Sequence, residues 1–128
     1  MGSVLVKTIF EKDGIRFEKR SAAVGLGNFD GLHIGHMTLV NTLISEARLN
    51  GLKSVIYTFT KHPENIIRKK LFTPLLTTVS KRIQILGETQ LDYLYFDEFD
   101  EEYSRMEPES FVKEILLEKL GAGLVVAG

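Results

Sequence analysis

Residues 24–36 read Val24-Gly25-Leu26-Gly27-Asn28-Phe29-Asp30-Gly31-Leu32-His33-Ile34-Gly35-His36. A short apolar run leads into a glycine-punctuated turn, and two histidines three apart stand at the start of a helical pattern. This geometry suits phosphate. The first backbone N–H groups of a helix lack intrahelical partners and carry partial positive charge, so they favour an anion. His33 and His36 add two side-chain donors at the same place. Gly27, Gly31 and Gly35 let the backbone approach a ligand with no Cβ in the way.

Working outward, the remaining apolar runs alternate between strand-like and helix-like spacing. Ala22 to Leu26 reads as a buried strand entering the motif. From Gly35 to Asn50, residues Leu39, Val40, Leu43, Ile44 and Ala47 fall at helical spacing, and Gly51 is a natural stop. Ser54 to Phe59, rich in β-branched and aromatic residues, is the next strand. A loop holding His62-Pro63 and Thr73-Pro74 follows. The spacing then predicts a helix from Val79 to Glu88 with Thr78 as N-cap, and a short strand from Tyr93 to Phe96. Pro108 opens a further helix with Phe111, Val112, Ile115, Leu116 and Leu120 on its buried face, closed by Gly121. Leu124 to Ala127 reads as a fourth core strand. Val4 to Phe10 and Ile15 to Lys19 flank Lys12-Asp13-Gly14, which suggests a hairpin or tight turn. The acidic run Asp97 to Glu102 reads as a solvated loop.

Strand–helix alternation implies an α/β fold, a parallel sheet with right-handed crossovers and flanking helices. Ligands of such sheets bind beyond the carboxyl ends of the strands. Segment 27–36, segment 58–63 and the end at Gly128 all follow strands, so they are expected to converge on one crevice.

Composition narrows the class. With 128 residues and 44% hydrophobic content the chain can build one core. Sixteen Lys plus Arg against 17 Asp plus Glu give a net charge of −1, which offers no footprint for nucleic acid or an anionic membrane. No apolar run approaches the roughly 20 residues of a membrane span, and no signal-peptide core is evident, so a cytoplasmic location is expected. The absence of cysteine excludes disulfides and thiolate chemistry.

Two familiar phosphate motifs do not fit. From Gly25 the pattern is Gly-x-Gly-x-x-Asp, which fails the dinucleotide fingerprint at its third glycine. No Gly-Lys-Ser/Thr follows Gly27, so the segment is not a P-loop. What remains, His33-x-Gly35-His36 after a strand, resembles the HxGH signature of the nucleotidyltransferase superfamily, whose sheet is Rossmann-like. The longer string Gly27-Asn28-Phe29-Asp30-Gly31-Leu32-His33-Ile34-Gly35-His36 resembles the start of the adenylyltransferase module of bacterial FAD synthetases, the bifunctional riboflavin kinase/FMN adenylyltransferases. Thr58-Phe59-Thr60-Lys61-His62-Pro63 is similar to that family's second block, Thr-Phe followed by Pro-His-Pro, with Lys61 where a proline is usual. Leu75-Leu76-Thr77-Thr78 with Lys81 and Leu86, then Leu91-Asp92, Phe99, Glu109 to Val112 and Leu124 to Gly128, continue the family order.

The resemblance implies transfer of the adenylyl group of ATP to FMN, giving FAD and pyrophosphate. It implies that His33 and His36 bind the ATP phosphates and stabilise the charge of the transition state. A histidine's ordinary pKa near 6.5 allows it to be cationic beside phosphate. The backbone of Gly27 and Phe29, the Asn28 side chain, Asp30 and Gly35 are expected to line the ATP site, and Thr58, Phe59, His62 and Pro63 the flavin side. Mg²⁺ is expected with ATP, held mostly by phosphates and waters, with no protein ligand assigned. ATP and FMN are the expected partners; oligomeric state is left open. The family continues past its Val-Val-x-Gly strand into a second triphosphate-binding block and a β-barrel kinase domain. Residues 1–128 are therefore expected to be an incomplete adenylyltransferase domain with little turnover alone.

Other readings stay open on the residues themselves. A His-x-x-His pair also has metal-ligand spacing. Asp30 suits a helix N-cap or turn as well as a ligand contact, Phe29 and Phe59 suit a core, and His62 suits a loop-shaping role. Thr77 and Thr78 suit a helix cap better than a flavin contact. Two rival functions remain: another HxGH nucleotidyltransferase, of pantetheine-phosphate, nicotinamide mononucleotide or cytidylyl type, and a non-catalytic nucleotide- or flavin-binding fragment.

Overall fold

The computed structural model describes residues 7–10, 17–26, 34–59, 79–98 and 105–127. Five strands form one sheet: β1 Lys7–Phe10, β2 Ala22–Leu26, β3 Lys53–Phe59, β4 Tyr93–Asp97 and β5 Ala122–Ala127. Their order is β1-β4-β3-β2-β5, and every pairing is parallel. Parallel strands buried on both faces need continuous apolar runs. β2 meets this with Ala22, Ala23, Val24 and Gly25 all buried, and β3 with five consecutive buried residues from Ser54 to Thr58. Ser54 and Asp92 lock the amino ends of β3 and β4. The Ser54 N–H donates to Asp92 Oδ2 at 2.9 Å, and the Asp92 N–H donates to Ser54 Oγ at 2.9 Å.

Helices cover both faces. α1 (Ile34–Leu49) and α2 (Val79–Gly87) lie on one, where Val40, Leu43, Ile44, Ala47 and Leu86 meet Ala23, Ile56, Leu94 and Phe96. α3 (Pro108–Lys119) and the residue after it lie on the other, where Ile115, Leu116 and Leu120 meet Val24, Val55, Tyr57 and Tyr95. This is the α/β, Rossmann-like arrangement expected. None of the helices among the described residues is long and apolar enough to cross a membrane.

α3 shows how the winding decides the face. It begins as one α-turn at Pro108–Ser110, with Pro in the first turn, and continues over Phe111–Lys119 with wider π-type winding. The Leu120 N–H accordingly donates to the Ile115 carbonyl, five residues back, at 2.9 Å. Inward positions recur at steps of four and five: Phe111 is half-buried, and Ile115, Leu116 and Leu120 are buried. Val112, placed on the buried face by 3.6-residue periodicity, is instead turned outward and 46% exposed.

Three other expectations are corrected. Residues 17–20 form a turn, not the second strand of a hairpin, and β1 pairs with β4. The Phe17 N–H donates to the Lys119 carbonyl at 3.1 Å, and the Phe17 ring meets Tyr93 edge-on at 5.1 Å. Those contacts tie the segment to α3 and β4 instead of to β1; Lys12 to Gly14 lie outside the described residues. β5 is not a core strand but an edge, with β2 as its neighbour and alternating exposure along its length. Asp97 belongs to β4 and is 2% exposed, so it is not part of a solvated loop. Phe99, Thr73, Pro74 and the Thr77-Thr78 pair lie outside the described residues.

Gly25 marks the closest approach of α1 to the sheet. A Cβ there would stand 2.9 Å from Leu43 Cδ2 and 3.1 Å from Ile56 Cδ1. Both neighbours are side-chain ends, which can shift at a cost. Gly25→Ala is expected to lower stability by about 1–3 kcal/mol, the usual cost of overpacking. Urea denaturation checks this, and an unchanged midpoint would mean that the contact is looser.

Candidate functional site

The site is set by topology. The chain runs β2→α1→β3→α2→β4 toward one edge of the sheet, then crosses back through α3 to β5 on the far side of β2. The direction of winding therefore reverses at β2, which is why α1 and α2 cover one face and α3 the other. In open α/β sheets the crevice opens beyond the carboxyl ends of the strands at such a switch point. β2 ends at Leu26, between the ends of β3 and β5, and α1 begins at Ile34 and packs on β2, β3 and β5. Segment 27–33 thus joins the carboxyl end of the switch-point strand to the N-terminus of α1.

Gly35 and His36 belong to the first turn of α1. That turn carries no acidic residue, so no side-chain carboxylate of its own competes for its N–H groups. Gly27, Asn28, Phe29, Asp30 and His33 lie outside the described residues, as do His62 and Pro63.

Thr58 and Phe59 end β3 and face opposite sides of the sheet, as neighbours in a strand must. Thr58 is fully buried on the α1/α2 side, while Phe59 is half-buried on the α3 side, its ring edge-on to Tyr57 at 5.5 Å. Two charged residues stand beside them: Arg82, which the sequence reading passed over, and Asp97, which it placed in a solvated loop. Arg82 of α2 is fully buried, and its Nη1 donates to the Phe59 carbonyl at 2.9 Å and to Thr58 Oγ1 at 3.4 Å. Its guanidinium lies 5.3 Å from the centre of the Phe96 ring. On the other face, Tyr57 Oη donates to Asp97 Oδ2 at 2.5 Å, Lys119 Nζ stands 3.9 Å from the same oxygen, and the Glu98 N–H donates to Asp97 Oδ1 at 2.8 Å.

Both residues left a signal in the sequence. Arg82 is four residues before Leu86, on the inward stripe of α2 where an apolar residue is the norm. Asp97 keeps the odd-numbered alternation of Tyr93 and Tyr95 that faces α3. A separate open cleft of about 360 Å³ is lined by Lys19, Arg20, Lys113, Leu117, Glu118 and Ala122. It lies by the amino end of β5, away from the switch-point crevice.

Known proteins match this arrangement. The family model for FAD synthetase matches residues 15–128. A bifunctional riboflavin kinase/FMN adenylyltransferase of Buchnera aphidicola subsp. Schizaphis graminum is 31% identical over 108 residues, covering 84% of this chain and 35% of that protein. A FAD synthetase of Listeria monocytogenes is 31% identical over 100 residues, covering 77% of this chain and 40% of that one. The chain thus spans between a third and two fifths of the length of these relatives. A solved Streptococcus pneumoniae structure, described as a macrolide-efflux protein, superposes with a TM-score of 0.77 at 26% identity, over 97% of this chain and 48% of its own. With the family model covering residues 15–128, the chain belongs to the FAD synthetase family.

Proposed function

We propose that this chain carries the nucleotide- and flavin-phosphate-binding part of an FMN adenylyltransferase, in which ATP and FMN give FAD and pyrophosphate. The observation that carries the reading is the start of α1, with Gly35 and His36 in its first turn, just beyond the carboxyl end of the switch-point strand. Family membership over residues 15–128 favours a flavin acceptor over pantetheine phosphate or nicotinamide mononucleotide.

In this mechanism a terminal phosphate oxygen of FMN attacks the α-phosphorus of ATP, and the bond from that phosphorus to the β-phosphate bridging oxygen breaks. Pyrophosphate leaves with the electron pair. No side-chain nucleophile is needed. The protein holds two anions in line and offsets the charge that builds between them. His33 and His36 with the N-terminal amides of α1 serve the triphosphate; Gly27, Asn28, Phe29 and Asp30 line its site, and Gly35 leaves it room. Thr58, Phe59, His62 and Pro63 form the acceptor side, with Thr58 acting as part of the wall. Mg²⁺ enters with the triphosphate. It is held mostly by phosphates and waters, no protein ligand is assigned to it, and no step runs through it.

Thermal shift tests the acceptor. FMN at 100 times its Kd stabilises a folded protein by about 2.7 kcal/mol, which for a chain of this size is a Tm rise of roughly 10 °C. Pantetheine phosphate and nicotinamide mononucleotide are expected to leave Tm unchanged. An equal rise with either would sink the flavin reading. Incubation with ATP, Mg²⁺ and FMN, followed by chromatography for FAD, tests the transfer. Binding of both substrates with no FAD formed would make the chain a binding module.

A further inference from the structure

We propose that Arg82 is a positioning residue for the acceptor side: by holding the Thr58 hydroxyl and the Phe59 carbonyl it fixes the carboxyl end of β3, and through it the affinity for the flavin phosphate. The inference rests on the flavin reading of the 58–63 segment. Taking a guanidinium out of water is costly and persists where its partners are fixed. Arg82 is fully exposed to this cost, being 0% accessible. Its described partners are all at carboxyl strand ends. Nη1 reaches two groups on β3, at 2.9 Å and 3.4 Å, and the guanidinium plane lies by Phe96 on β4 at 5.3 Å.

Docking α2 does not by itself require this. Leu86 is fully buried in the same cluster, and Ile83 and Ile85 pack against it. An apolar residue at position 82 would serve that purpose without the desolvation cost. What an apolar residue lacks is a donor for the last carbonyl of β3, the point where the chain leaves the sheet for the 60–63 segment. The one nitrogen Nη1 donates to a hydroxyl and a carbonyl from the last two residues of β3, which holds those two residues to α2. Among the described residues its partners are on β3 and β4, whereas the proposed ATP side is at β2 and β5. The effect is therefore directed at the acceptor.

The test compares wild type with Arg82→Met and Arg82→Lys in the 128-residue protein. FMN binding is read by quenching of flavin fluorescence and ATP binding by titration calorimetry. Arg82→Met is expected to raise the Kd for FMN tenfold or more and to leave that for ATP within twofold. Arg82→Lys keeps one cationic donor group on a shorter side chain and is expected to fall between. Hydrogen exchange supplies a second reading without ligand: amides at 57–59 exchange at least tenfold faster in Arg82→Met, and those of 22–26 do not change. Unchanged exchange at the end of β3 overturns the clamp. Faster exchange with equal losses for FMN and ATP overturns its direction toward the acceptor and leaves a general stabilising role. A wild type that binds ATP but not FMN sinks the flavin reading instead, while the exchange result still decides the clamp. Should Arg82→Met fail to fold, Arg82→Lys carries the same comparisons.

Discussion

Gly121→Ala is expected to cost about 2–4 kcal/mol, a large share of the 5–15 kcal/mol that holds a domain of this kind together. Two terms add. Gly121 has φ +59°, in the left-handed region, where alanine carries a penalty of about 1–2 kcal/mol. A Cβ there would also stand 1.9 Å from the Glu18 carbonyl oxygen and 2.9 Å from its carbon. Backbone cannot turn aside as a side-chain end does. The segment is held on both sides, since the Ser21 and Ala22 N–H groups both donate to the Gly121 carbonyl, at 3.0 and 3.1 Å. Relief of the clash therefore pulls apart the starts of β2 and β5, at the base of the switch point. Gly51→Ala is the control. It has a similar φ of +67° but nothing within 4 Å of the added carbon, so only the conformational term of about 1–2 kcal/mol applies. Urea denaturation of the two variants separates the terms. Equal losses would mean that the 17–21 turn does not press on Gly121.

The same contrast between local pattern and long-range contact explains what was legible in the sequence. β2, α1, β3, α2 and β4 appear within a residue or two of expectation because each carries its own periodicity and a stop such as Gly51. That the carboxyl ends of β2, β3 and β5 lie on one side of the sheet was legible too, since it follows from parallel alternation alone. The failures share a cause. Ile15 to Lys19 reads as a hairpin partner for the first strand, whereas the Phe17 N–H donates to the carbonyl of Lys119, about a hundred residues away. Val112 looks inward until the winding of α3 adds a residue to each turn. Asp97 reads as loop because its acidic neighbours hide its partnership with Tyr57, which comes from another strand. Arg82 went unread in the sequence for the same reason. Burial of a polar group depends on partners distant in sequence, and a single chain's pattern does not name them.

His36→Ala is expected to lower the rate of FAD formation by about 30- to 1,000-fold, equivalent to roughly 2–4 kcal/mol, the range found when one donor to a developing negative charge is removed. FMN affinity is expected to change by less than about threefold. The asymmetry follows from the proposed chemistry. Both reactants are anions before they meet, so the barrier lies in bringing their charges together at the α-phosphorus. A donor from the first turn of α1, added to the helix amides, is expected to count most when that charge is concentrated. The proposed acceptor side, at the end of β3, is one strand away from β2. His36→Gln divides the effect further. It keeps an N–H donor but carries no charge, so a rate between those of wild type and His36→Ala assigns part of the loss to charge and part to the hydrogen bond. A Gln variant as slow as Ala would assign nearly all of it to charge or to the geometry of the imidazole ring. Single-turnover rates of FAD formation, with FMN Kd measured beside them, make the comparison. A rate unaffected by either substitution would remove His36 from the reaction and leave the helix amides with His33 to carry the phosphate.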